Sequence, residues 1–118
     1  MNVTIGDNTF KVKLCTTQSS ISKGMMGKTF NDSFNGMFFM MPESGEQSFW
    51  MYNCLIPLDI IMIDNGTISD IHNNCQPCDD KESCKSYKGY GSEVLEVAGG
   101  TCKNLGIKKG DYVSFSLL

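Results

Sequence analysis

Asp59-Ile60-Ile61-Met62-Ile63-Asp64-Asn65-Gly66-Thr67-Ile68-Ser69-Asp70-Ile71-His72 carries the clearest local instruction in the chain. The apolar run Ile60 to Ile63 ends at Asn65-Gly66, and a second segment follows with Ile68 and Ile71. Asn and Gly both tolerate positive φ, so this pair between two apolar runs predicts a tight β-hairpin. Toward the N-terminus, Met37-Phe38-Phe39-Met40-Met41 is an unbroken apolar run stopped by Pro42. It is too short for a helix and reads as a strand buried on both faces. Gln47 to Tyr52 reads as a further, aromatic strand. Val3 to Ile5 and Thr9 to Leu14 flank the turn Gly6-Asp7-Asn8, and period-two alternation sets Phe10, Val12 and Leu14 on one face. Toward the C-terminus, Glu93 to Val97 and Tyr112 to Leu117 complete the set.

Two short helices are expected. Thr16-Thr17 can cap one from Ser20 to Met26, with Ile21 and Met25 turned inward and Gly27 ending it. Gly99-Gly100-Thr101 opens the other, which runs to Leu105 and closes at Gly106. Asn73 to Gly91 is a polar stretch with three cysteines, too long for an unbraced loop. About eight short strands with Gly-rich turns and two short helices make a mainly β, sandwich- or barrel-like domain. At 118 residues, the chain reads as one domain over 1–118.

Composition excludes several classes. No apolar run approaches the ~18 residues of a membrane-spanning helix, and the mean hydropathy is −0.17. With 10 Lys against 13 Asp+Glu, the net charge is −3 and the pI about 5.0, so the basic footprint of a nucleic-acid binder is absent. Every cation is a lysine, which disfavours the bidentate reading of phosphate that Arg performs best. Met1 to Ile5 has neither the basic segment nor the apolar core of a secretory signal, so the soluble chain reads either as cytoplasmic as it stands or as one whose leader was removed before this numbering begins.

Cysteines stand at 15, 54, 75, 78, 84 and 102. His72, Cys75, Cys78 and Cys84 crowd one segment, with ligands and a knuckle spacing that suit tetrahedral zinc. A disulfide, most simply Cys78–Cys84, would close the same loop, and Cys75-x2-Cys78 has the spacing of a redox pair. Asp79-Asp80 just beyond opposes thiolate formation. Cys15 and Cys54 read as small buried hydrophobes. Cys102 falls in the first turn of the second helix, where an anion is favoured, and is taken as a buried structural thiol.

Phe49-Trp50-Met51-Tyr52-Asn53-Cys54-Leu55-Ile56-Pro57-Leu58-Asp59-Ile60 resembles the signature of the DUF192 family, also called UPF0127. Its usual form is Phe-Trp-Met, any residue, Asn-Thr, any residue, Ile-Pro-Leu-Asp-Ile. Agreement continues through Gly24-Met25-Met26, Gly36-Met37-Phe38-Phe39, Pro77-Cys78 with Cys84 and Tyr87, Leu95-Glu96-Val97, Gly100-Thr101, Leu105-Gly106-Ile107 and Gly110-Asp111. Cys54 stands where the family has Thr, and Ser86 where Pro commonly follows the second loop Cys. The resemblance implies a small β-rich sandwich-like domain, often exported behind a leader, with no assigned reaction. It also favours a disulfide or free pair at Cys78 and Cys84 over a zinc site.

Asp59, at the mouth of an apolar strand, must find partners, because an unpaired buried charge is costly. Asn53, across the Pro57 bend, offers an amide, and the two can brace that bend. The functional alternative gathers Trp50, Asn53, Asp59 and His72 around a shallow pocket, where an aromatic plane, an amide and a carboxylate suit a polar small molecule. One carboxylate and one imidazole do not define a catalytic constellation, so no catalytic residue is assigned. The methionines, several in Met25-Met26 and Met40-Met41, suit flexible core filling better than a Cu(I) site, and no metal or cofactor is assigned. The expectation is a non-catalytic binding or accessory module. Its rivals are a small enzyme using Asp59 with His72 or a thiol, and a Cys/His zinc module.

Overall fold

The computed structural model describes residues 1–116. Its elements are β1 (Asn2–Ile5), β2 (Asn8–Cys15), α1 (Gln18–Lys23), β3 (Gly36–Phe49), β4 (Leu58–Asp64), β5 (Thr67–Cys75), β6 (Tyr87–Ala98), α2 (Thr101–Leu105) and β7 (Val113–Ser116). All strands belong to one sheet in the order β5-β4-β6-β3-β2-β1-β7, with only the β2–β3 pair parallel. No helix among the described residues is long and apolar enough to cross a membrane.

The sheet is a curled half-barrel, and its two ends meet. Thr67 bridges Tyr112, Ile68 N–H donates to the Asp111 carbonyl at 2.9 Å, and Val113 N–H donates to the Gly66 carbonyl at 2.9 Å. The seam therefore runs between the start of β5 and the turn leading into β7. Inside the curl lie Val3, Ile5, Phe10, Val12, Phe38, Ile61, Leu95 and Val97. The other face of the same central strands carries Met37, Phe39, Ile60, Met62 and Val94, covered by Met25, Phe34 and Met51. Central strands thus bury both faces, which explains their continuous apolar runs.

The hairpin at Asn65-Gly66 forms as expected, with φ of 50° and 79° and Asp64 opposite Thr67. Gly106 closes α2 in the left-handed region. Elsewhere the boundaries differ. The runs read as two strands, Met37 to Met41 and Gln47 to Tyr52, are one strand, β3, which makes seven strands. Pro42 does not break it, because the register shifts between Met40 and Gly45 and the missing N–H falls in this bulge. Tyr52 keeps only an isolated bridge to Cys78.

α1 begins after Thr17, which accepts from Ser20 N–H, and stops at Gly24 before the expected end. Met25 is nevertheless buried, just past the helix. The polar stretch from Asn73 shortens to residues 76–86, because β5 extends to Cys75 and β6 begins at Tyr87. Leu14 lies beside inward-facing Phe38 but stays 41% exposed. The last strand starts at Val113, and Leu117 lies outside the described residues.

Candidate functional site

Asp59 is fully buried, and backbone amides host it. Its Oδ1 accepts Asn74 N–H at 2.8 Å and Gly100 N–H at 3.1 Å, and its Oδ2 accepts Cys102 N–H at 2.8 Å. The carboxylate thereby ties β4 to a bulge in β5 and to the first turn of α2, whose free N–H groups favour an anion. Gly99 is part of this knot: a Cβ there would lie 2.5 Å from the Asn74 side-chain oxygen. The anion-favouring turn that holds Cys102 is occupied by Asp59. Burial, then the adjacent Asp59, pushes the Cys102 thiol up to about 12.

Asn53 is exposed, sits at φ 57°, and shows no bond to Asp59; its N–H donates to the Cys78 carbonyl at 2.9 Å. His72 faces the side of the sheet opposite Asp59. It pairs in register with Ile60, whereas Asp59 points with Ile61 to the inside of the curl. His72 Nε2 lies 2.7 Å from the Lys88 carbonyl and 3.7 Å from Asp70, with the ring edge-on to Tyr87. The structure therefore separates Asp59 from His72.

Trp50 and Asn53 come closer to sharing a site. Asn53 lines a shallow concavity of about 720 Å3 together with Met26, Gly27, Cys54, Leu55 and Pro77. Trp50, 38% exposed and 5.1 Å ring to ring from Tyr52, stands at the rim of an adjoining slot. Met26 and Cys54 line both hollows and form the wall between them. Phe49, Phe39, Met25 and the buried Glu96 also line the slot, and its free space of about 20 Å3 suits one water-sized group.

Glu96 is the residue that sequence reasoning missed. It lies in the middle of β6, flanked across the sheet by Met37 and Ile60, and is 3% exposed. Neither a hydrogen bond nor an ion pair to another described residue serves its carboxyl group. Burial alone pushes it up to about 8, so the acid is mostly protonated at neutral pH. A signal did exist: in Val94-Leu95-Glu96-Val97-Ala98 both strand faces are apolar, so period two leaves the acid no polar side to occupy.

The thiols are not activated. Burial pushes Cys54 and Cys75 up to about 11 and raises Cys15, with the Glu96 charge acting in the same direction on all three. Cys78 and Cys84 are joined in a disulfide, which removes two ligands from the four a zinc site would need. Among the described residues, no group of three or more His, Cys, Asp or Glu converges as a metal site. The disulfide loop is pinned at its start, where Cys78 N–H donates to the Met51 carbonyl at 3.1 Å. This places Pro77, Cys78 and Asp79 along the shallow concavity.

The family model DUF192, described as an uncharacterised ACR, matches residues 1–115. Two crystal structures are similar over nearly the whole chain. A protein of unknown function from Novosphingobium aromaticivorans is 34% identical with a TM-score of 0.84, the match covering 97% of this chain and 84% of that one. A Sinorhizobium meliloti protein, described as a "putative transcription regulator", is 29% identical with a TM-score of 0.81, covering 96% of this chain and 89% of that one. No curated protein matches the chain.

Proposed function

The chain belongs to the DUF192 family, and from that premise we propose that it is a non-catalytic module that binds a small polar molecule. One observation carries this reading: the shallow concavity beside Asn53 opens next to a slot rimmed by Trp50, with Met26 and Cys54 shared between them. Such a site offers stacking area, an amide and one deep polar group, the combination that orients a small ligand. Trp50 and Asn53 are the contact residues in this proposal. Asp59 acts behind them as a frame, since three backbone N–H groups already engage its oxygens. His72, engaged with the Lys88 carbonyl, is left out of the contact set.

Raised thiols and the separation of Asp59 from His72 support binding over catalysis. Nucleic acid is not the proposed occupant, since a chain of net charge −3 without Arg lacks a phosphate-tracking stripe. A panel of small polar molecules, titrated while backbone amide resonances are recorded, tests the site. Ligands should shift Met26, Asn53 and Cys54, and Trp50→Ala should weaken binding at least tenfold. Absence of any binder, or shifts confined to other parts of the sheet, would defeat the proposal.

A further inference from the structure

We infer that the slot over Glu96 seats a primary ammonium group on an alkyl chain that lies across Trp50 and Tyr52. This rests on the small-ligand reading above and names the chemistry of the deep end of that site. The carriers of such a head are a free alkylamine and a lysine side chain.

The geometry singles out a cation. Glu96 is 3% exposed, and its carboxyl takes no hydrogen bond from a described residue, so what solvent contact it keeps is through the slot it lines. Its neighbours across the sheet, Met37 and Ile60, offer it no hydrogen bond. The walls above are the rings of Phe39, Phe49, Trp50 and Tyr52 and the sulfurs of Met25 and Cys54. Aromatic faces and soft sulfur attract positive charge and cannot solvate an anion. Tyr52 already receives one ammonium group, with Lys81 Nζ 5.2 Å from its ring centre. The space left for one water-sized group fits a terminal –NH3+ and excludes a bulky or quaternary head.

A cation entering the slot displaces the proton from Glu96, which passes to solvent as the carboxylate–ammonium pair forms. Thiols near Glu96 come from Cys15 on β2, Cys75 on β5 and Cys54 in the loop, and burial keeps all three protonated through neutral pH. The nearby cations are Lys23 at the rim and Lys28, whose Nζ is tied to the Gly24 carbonyl at 3.1 Å. His72 shares this face one strand beyond Ile60 but is turned to the Lys88 carbonyl and does not line the slot, so the pH dependence between pH 6 and 8 is assigned to Glu96.

The test titrates the whole chain with n-butylamine, Nα-acetyl-lysine methylamide and the neutral 1-butanol, following fluorescence of Trp50, the only tryptophan. Both ammonium probes should bind at roughly millimolar concentration, as befits fragments this small. Affinity should rise about tenfold per pH unit from pH 6 to 7 and level off above pH 8. Calorimetry in two buffers should register about one proton released. Glu96→Gln should unfold no earlier than the parent, weaken both amines at least tenfold and abolish the pH dependence.

Binding by only one of the two amines supports the inference and identifies the carrier. If 1-butanol binds as well as the amines, or Glu96→Gln leaves amine binding unchanged, the ammonium assignment is overturned while the small-ligand site stands. If neither these probes nor the polar panel perturbs the two hollows, both fall.

Discussion

Asp59 and Glu96 are both acids withdrawn from water, yet Asp59 has three backbone N–H partners and Glu96 has none. Asp59→Asn replaces one acceptor oxygen by an NH2 group that must confront a backbone donor. It should cost about 3 kcal/mol, seen as a lower urea midpoint with an unchanged slope. Glu96 predicts the opposite sign. Its carboxyl titrates near 8 when folded against an ordinary value of 4.5, so between these values the folded chain holds a proton that the unfolded chain lacks. Stability therefore falls as pH rises through that window and is flat beyond it. Glu96→Gln removes this dependence. Its gain over the parent should be near zero at pH 4.5 and grow to at most about 5 kcal/mol at pH 8, measured by urea unfolding at the two pH values. Asp59 was legible in the sequence as an acid in need of hosts. The hosts were not, since they are backbone amides 15, 41 and 43 positions away. Asn53, the amide expected to brace the bend with it, lies near in sequence and belongs to another surface.

Elements whose signals are local were the most legible. The Asn65-Gly66 hairpin and the Gly106 stop depend on the φ preferences of one or two residues and formed where expected. The continuity of β3 was hidden, because Pro42 reads as a terminator and only pairing with distant β6 carries the strand past it. Slot and concavity were hidden for a related reason: their walls come from α1 and the turn after it, β3, β6, the 50–55 loop and the disulfide loop, which no single window of sequence joins. The close contact of β6 with β4 yields a prediction at this scale. A Cβ on Gly91 would lie 2.0 Å from the Ile63 carbonyl oxygen, a backbone atom that cannot rotate away. Gly91→Ala should cost at least about 3 kcal/mol and lower the yield of folded protein, measurable by urea unfolding of the soluble fraction.

On the scale of the whole molecule, the seam between β5 and the β7 approach determines whether the sheet behaves as one closed body. Val113→Pro removes the N–H that reaches Gly66 and should cost about 2 kcal/mol. Hydrogen exchange should then show faster exchange at Ile68 N–H, which crosses the same seam, with the β3–β6 ladder still protected. The β1–β7 pair has one more consequence. Because Asn2 lies opposite Ser116, a short linker placed between these two residues can close the described chain into a ring without disturbing any strand. Cutting that ring between the exposed residues Asp32 and Ser33 opens only the turn closed by the isolated Asn31–Phe34 bridge and leaves the seven-strand pairing intact, so a circularly permuted gene should encode the same fold. The order in which the ribosome emits these segments is thus separable from the arrangement they adopt.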